Sequence, residues 1–309
     1  MNKWFAIVNP VAGRCKGLND WPLISSLLRS SGISYDAVFT QKKYHATELA
    51  VEAVTLGYRH IIVVGGDGTL HETVFGLFLQ QQITPSDVTI AVIAVGTGND
   101  WIRMYGISRK YSEAVKAIVE GETFLQDVAK IDYYEAMVKQ TRYLVNMAGM
   151  GFDAAVNYRY NRLKEKGYYS KWLYIISLLR AVFTYKPIDF RITVDGKEIL
   201  DSSIFSIAIA IGKYNGGGMM QAPYAIADDG LIDVTIIKKL NIFSLFRHIK
   251  KLHNGNIYKV PSSQFIRAKN IEIISTKTDA AIEVDGEPIG YAPINFSVIE
   301  RAIKVIVVK

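Results

Sequence analysis

The chain has 309 residues, half of them hydrophobic and 21% charged, with a net charge of +7 at neutral pH. That length and apolar content suit two cored domains and exclude a disordered chain, while a single cysteine, Cys15, excludes an internal disulfide and any multi-cysteine metal site and suits a reducing cytoplasm. The basic surplus favours acidic partners, namely phosphates, nucleic acid or an anionic membrane surface, with plain solubility as the other reading.

Residues 1–10 carry too short an apolar run for a signal peptide and read as a first buried strand. No stretch approaches the ~20 uninterrupted apolar residues of a bilayer span. Up to residue 127 strands and helices alternate: strands over 3–8, 34–39, 59–64 and 88–95, helices over 18–31, 45–57, 68–82 and 110–120. Short apolar β-rich runs separated by helical patterns predict a parallel sheet covered on both faces. Ligands bind such sheets at the carboxyl ends of the strands.

From residue 128 the rhythm changes. Strands are predicted over 128–133, 135–139, 142–148, 189–195, 203–212, 231–237, 265–274, 281–285, 294–299 and 303–308, many without intervening helices. This points to an antiparallel sheet or sandwich, and Asp195-Gly196 is a hairpin turn signal. The division is therefore 1–127 and 128–309. Residues 153–186 interrupt the β pattern with basic, aromatic-rich helices, read as a hairpin packed on the sheet or as a pair lying on a membrane surface. Residues 243–252, with Arg247, Lys250 and Lys251, read as a surface helix.

Several loops carry candidate chemistry. Asn9-Pro10-Val11-Ala12-Gly13-Arg14 follows the first strand, with a glycine for close backbone approach and Arg14 or Lys16 to meet a phosphate; an ordinary turn has the same composition. Gly65-Gly66-Asp67-Gly68-Thr69 lies between the strand Ile61-Ile62-Val63-Val64 and a helix start, a geometry that points backbone N–H groups at a phosphate. An acid in such a loop needs a bridging cation, so Asp67 suggests a magnesium nucleotide; a tight turn with a capping aspartate is the alternative. Gly96-Thr97-Gly98-Asn99-Asp100 repeats the pattern after the next strand, with Asp100 also suited to cap a helix. Later, Val284-Asp285-Gly286-Glu287 and Asp228-Asp229-Gly230-Leu231 read first as turns, the second also as a small cation site. Gly216-Gly217-Gly218 reads as a flexible loop. There is no P-loop, no well-placed dinucleotide fingerprint and no zinc-protease helix.

In order, these blocks resemble the diacylglycerol kinase catalytic-domain family, in particular its soluble bacterial lipid kinases. The matching blocks are Asn9-Pro10 with Gly13, Gly65 through Glu72, Gly96 through Asp100, Ala227-Asp228-Asp229-Gly230-Leu231 and Asp285-Gly286-Glu287. His71 stands where the commoner form has Asn, and Arg14 where many bacterial members have Lys. The resemblance implies an α/β nucleotide-binding domain with a parallel sheet, then a mainly antiparallel β-sandwich lipid domain with a helical insertion, with ATP in the cleft between them. The nucleotide-contacting set it implies is Asn9, Pro10, Gly13, Arg14, Thr40, Gly65, Gly66, Asp67, Gly68, Thr69, Leu70, His71, Glu72, Gly96, Thr97 and Asn99. Asp67 and Asp100 are to organise the catalytic Mg²⁺, and Glu287 is to be the general base. A structural Mg²⁺ is implied at Asp229 with the carbonyls of Ile226 and Leu231. The implied activity is ATP-dependent phosphorylation of diacylglycerol or a related lipid alcohol by a cytoplasmic enzyme, peripheral at the inner face of an anionic membrane. It implies no nucleic-acid partner and leaves oligomeric state open, a dimer included. An NAD kinase shares a similar Gly-Gly-Asp-Gly block, but its ribose-gripping Asn-Glu pair is absent from this chain. A catalytically decayed lipid-binding protein is the third reading, and retention of Asp67, Asp100, Asp229 and Glu287 argues against it.

Overall fold

In the computed structural model the described residues are 3–96, 98–135, 138–152, 154–156, 158, 180, 185, 187–238, 251, 254–260, 262–275 and 280–308. Thr97, nearly all of the 153–186 helices and all but residue 251 of the 243–252 helix lie outside them. The chain divides into two units. The first comprises residues 1–128, 216–218 and 299–309, the second 129–215 and 219–298. Residues 299–309 thus fold with the first unit, whereas reading the chain in order assigned them to the second domain.

In the first unit the elements are β1 (Trp4–Val8), α1 (Ala12–Asn19), α2 (Trp21–Ser30), β2 (Tyr35–Phe39), α3 (His45–Thr55), β3 (His60–Gly65), α4 (Asp67–Leu79), β4 (Thr89–Ala94), α5 (Trp101–Met104) and α6 (Tyr111–Glu120). The strands run parallel in the order β2-β1-β3-β4. Their runs of Val, Ile and Ala are buried almost throughout in β1, β3 and β4, as a sheet covered on both faces requires. The expected helix at 18–31 is two pieces: Asp20 separates α1 from α2, and Pro22 sits in the first turn of α2, where its missing N–H costs nothing. The four-residue α5 was not expected from the sequence. Helices α3 and α4 meet at Gly76, where a Cβ would stand 2.4 Å from the Thr47 carbonyl oxygen and 2.8 Å from the Ala50 Cβ.

The second unit is antiparallel and β-rich. Its strands are β5 (Glu122–Glu135, arriving from the first unit), β6 (Val138–Leu144), β7 (Met147–Gly151), β8 (Ile188–Val194), β9 (Lys197–Ile204), β10 (Ser206–Ala210), β11 (Tyr214–Asn215), β12 (Met219–Met220), β13 (Ile232–Ile237), β14 (Ser263–Ala268), β15 (Asn270–Ser275), β16 (Ala281–Val284) and β17 (Glu287–Val307, which from residue 299 belongs to the first unit). One ladder runs β14-β13-β10-β7-β16-β17, and β17 also pairs with β15, which continues to β8 and β9. The Asp195-Gly196 hairpin joins β8 to β9 with positive φ at both residues.

At three places expected strand runs are interrupted or joined beside a carboxylate, while the run 203–212 breaks at Phe205, whose amide donates to the Ile237 carbonyl. The run 142–148 is two strands, because Asp285 accepts the amides of Val145, Asn146 and Met147 between them. The run 265–274 breaks at Lys269, whose amide, like that of Asn270, donates to Asp195. The runs 294–299 and 303–308 form one strand, β17, bent at Arg301 (φ 50°), whose amide donates to the buried Asp127.

The glycine at the α3–α4 contact yields a test. Gly→Ala inside a helix ordinarily stabilises by up to ~1 kcal/mol. Gly76→Ala is expected to destabilise by roughly 1–3 kcal/mol, because the new methyl strikes backbone. A denaturant midpoint equal to or above wild type would refute this packing.

Candidate functional site

Three loops converge at the carboxyl ends of β1, β3 and β4. Asn9 ends β1: its amide donates to the Val64 carbonyl (2.9 Å), its Oδ1 accepts the Val11 amide (3.2 Å), and its Nδ2 donates to Thr69 Oγ1 (3.0 Å). Gly13, Arg14 and Cys15 then take left-handed backbone, and a Cβ at Gly13 would stand 1.9 Å from the Val95 carbonyl oxygen. The first loop therefore packs on the third through a glycine. The second and third loops meet more closely still. A Cβ on Gly96 would lie 2.7 Å from the Gly66 Cα, and one on Gly65 would strike the Thr69 side chain at 2.5 Å. At this junction Asn99 donates to the Gly96 carbonyl, while its Oδ1 is buried and accepts no hydrogen bond among the described residues. Glycine backbone of this kind suits the close approach of phosphate groups, whereas the unused Asn99 oxygen, an acceptor, suits a donor or a cation.

Asp67 begins α4, where a negative charge is favoured by the exposed amides of the helix start. Its carboxylate accepts the amides of Asp100 (2.8 Å) and Trp101 (3.3 Å) and so anchors the start of α5 to the second loop. Asp100 is itself buried. Its Oδ1 pairs with Arg103 Nε (3.2 Å) and its Oδ2 accepts the Gly217 amide (2.7 Å). Gly216, Gly217 and Gly218, read from sequence as a flexible loop, are thus tied to the first unit with positive φ at all three positions. Three consecutive glycines were the only signal of this. The Trp101 indole and the Tyr105 hydroxyl both donate to Gln126 Oε1, at 2.8 and 2.6 Å.

The other expected nucleotide residues divide. Thr40 follows β2, its amide on the Val8 carbonyl (2.8 Å), and Gly68 faces open space. Leu70 and His71 are buried in α4. The Glu72 carboxylate accepts the amides of Tyr44 (3.1 Å) and Ala46 (3.3 Å), which holds the start of α3.

In the second unit Glu287 opens β17 directly after the Asp285-Gly286 turn, φ 48° and 86°. The turn is fixed from both sides. Asp285 collects its three amides at 2.9–3.0 Å, and Glu283, fully buried on β16, accepts the Gly286 amide (2.9 Å) and Asn215 Nδ2 (3.3 Å). Glu283 was missed in the sequence, although a carboxylate inside the apolar run Ala281-Ile282-Glu283-Val284 was a usable sign of a buried polar role.

Asp229, the expected structural metal ligand, is engaged otherwise. One oxygen accepts the Leu231 amide (3.1 Å) and the other the Arg267 Nη2 hydrogen. Arg267 Nε also lies 3.4 Å from Asp233 Oδ1. Burial pushes the Asp233 carboxyl up to about 6, with Arg267 pulling it back and Asp229 adding to the rise. Among the described residues no group of three or more His, Cys, Asp or Glu side chains is placed to hold a metal ion. Both Asp229 oxygens are thus engaged within the chain.

Residues 3–131 match the diacylglycerol kinase catalytic domain, and residues 146–307 match the YegS C-terminal NAD kinase beta sandwich-like domain. A diacylglycerol kinase of Staphylococcus aureus (strain bovine RF122 / ET3-1) is 30% identical over 97% of this chain and 90% of its own. The chain belongs to the diacylglycerol kinase catalytic domain family. The family's solved fold is matched as well. The crystal structure of a diacylglycerol kinase from Bacillus anthracis superposes with a TM-score of 0.74 at 23% identity, covering 99% of this chain and 97% of that one. The yeast NADH kinase in complex with NADH is more distant, with a TM-score of 0.56 at 12% identity over 100% of this chain and 84% of its own. The family expected from the sequence is the family found, and with it a kinase-type catalytic domain. Among the described residues no helix is long and apolar enough to cross a membrane.

Two substitutions separate scaffold from chemistry here. Asp285→Ala strands three backbone amides and is expected to lower Tm by roughly 5–10 °C. Glu72→Ala, which uncaps α3, is expected to cost about 1 kcal/mol. Calorimetry on both proteins checks the pair, and an unchanged Tm in Asp285→Ala would remove its proposed hold on the turn.

Proposed function

We propose that this protein transfers the γ-phosphoryl group of ATP to the hydroxyl of diacylglycerol or a related lipid alcohol. The observation that carries the reading is the contact of the Asn9, Gly65-Gly66 and Gly96 loops at the ends of three parallel strands, with Asp67 at the start of α4. Backbone amides and glycine gaps there suit a chain of phosphates, and the first unit is read as the nucleotide domain. The sandwich-like second unit is read as the lipid domain, its substrate reached at an anionic membrane surface that the net charge of +7 favours.

Each residue then has a task. Asn9 and Thr69 hold the first and second loops together. Gly66 and Gly96 let the second and third loops pack backbone against backbone, which brings the amides of both loops to one place. Asp67 would hold Mg²⁺, since it is the carboxylate at the start of α4, beside the converging glycine loops. The ion, when bound with ATP, neutralises charge developing on the transferred group. Asp100, read from sequence as a second metal organiser, has both oxygens engaged and is assigned the positioning of α5 and of Gly216–Gly218. Glu287 takes the proton from the attacking lipid hydroxyl, a role typically worth ~10²–10⁴-fold. Glu283 and Asp285 keep the turn that presents it rigid.

Glu287→Gln is expected to lower kcat by about 10²–10⁴-fold while ATP affinity stays within about twofold. Equal turnover in the purified variant removes Glu287 as the base. Asp67→Asn keeps an acceptor for one of the two α5 amides and loses the charge, and is expected to weaken magnesium-dependent ATP binding with a fall in Tm of only a few °C, about 1 kcal/mol for the one lost bond. Diacylglycerol, a sphingoid base, ceramide and NAD, assayed with and without anionic vesicles, decide the acceptor. Phosphorylation of NAD alone overturns the lipid reading, and no turnover with any acceptor favours a decayed binding protein.

A further inference from the structure

We propose that Arg267 is the resident cation of the acidic corner formed by Asp229 and Asp233, and that this corner takes no divalent metal ion. The placement is built into the sheet. Asp233 on β13 stands directly opposite Arg267 on β14 in the antiparallel register, so the two side chains leave the same face as cross-strand neighbours. From that position Arg267 Nε lies 3.4 Å from Asp233 Oδ1, and Nη2 reaches back to Asp229 Oδ2 in the turn before β13. The remaining Asp229 oxygen accepts the Leu231 amide. The Asp233 side chain is buried, 9% exposed, so its charge needs a nearby counter-charge, while the Asp229 side chain, 23% exposed, stands at the rim of the corner.

A guanidinium suits this geometry. It is planar, permanently charged, and presents separate donors to two acceptors at once. Magnesium requires six oxygens in an octahedron, dehydrates reluctantly and needs a free carboxylate. To bind at Asp229 it would have to expel Arg267, then stand beside the displaced guanidinium, with the Lys213 charge also acting on Asp233. The arginine therefore does the structural work of a cation: it ties the 228–231 turn to β13 and β14. Stability of this region is independent of magnesium, whatever acceptor the enzyme uses.

The test follows Tm of the full chain without nucleotide, in excess EDTA and in millimolar MgCl₂. Wild type is expected to melt at the same temperature in both, within about 1 °C, and Arg267→Ala to melt roughly 4–8 °C lower. If Arg267→Ala does not fold, Arg267→Lys replaces it and is expected to melt below wild type, because an ammonium cannot span both acids. A saturable rise of wild-type Tm with MgCl₂ that disappears in Asp229→Asn overturns the proposal. So does wild-type stability in both arginine variants. A magnesium response that survives Asp229→Asn arises elsewhere and leaves this corner metal-free, as proposed.

Discussion

A carboxylate that accepts backbone amides recurs at five breaks that shape this structure. Asp67 holds the start of α5, Asp285 the 145–147 turn, Asp195 the break at Lys269, Asp127 the bend at Arg301, and Glu72 the start of α3. Each amide lies where the chain leaves a regular element and loses its ladder or helical partner. A charged acceptor satisfies it with a bond stronger than a neutral one. Loops fixed in this way are rigid enough to carry a site, and in both units the candidate groups sit on them.

The two candidate carboxylates illustrate how scaffold and chemistry share residues. Asp67 is an acid in a loop whose glycines otherwise favour an anion. It is tolerated because two amides and a helix start offset its charge before any ligand arrives. Around Glu287 the neighbouring Asp285 and Glu283 carry the turn, and Glu287 is the acid assigned to proton transfer in the proposed reaction. Asp229 falls on the other side of this division. Its charge is consumed by Arg267, a partner that strand register supplies.

Much of the first unit was readable along the chain because its contacts follow a local rule. Runs of Ile and Val at β1, β3 and β4 are continuous, so both faces had to be buried, and the glycine blocks had to fall at strand ends. The breaks in the later strands were not readable. The acid that splits β6 from β7 lies about 140 positions further on, and the one that bends β17 lies 174 positions earlier. No window of sequence contains both the break and its cause. The same holds for Gly217, whose amide partner Asp100 is 117 positions away.

The sequence by itself determined the order of elements in the first unit, the glycine-acid blocks and, through them, the family. Those properties rest on residue type and short spacing, which local propensity reads directly. Only the tertiary structure decided what each charged group touches. It turned Glu72 to α3, gave both oxygens of Asp100 to Arg103 and Gly217, buried Glu283 behind its turn, and set Arg267 against Asp229. The physical reason is that a carboxylate can accept from any donor within reach, and reach is settled by strand register and loop packing between distant parts of the chain.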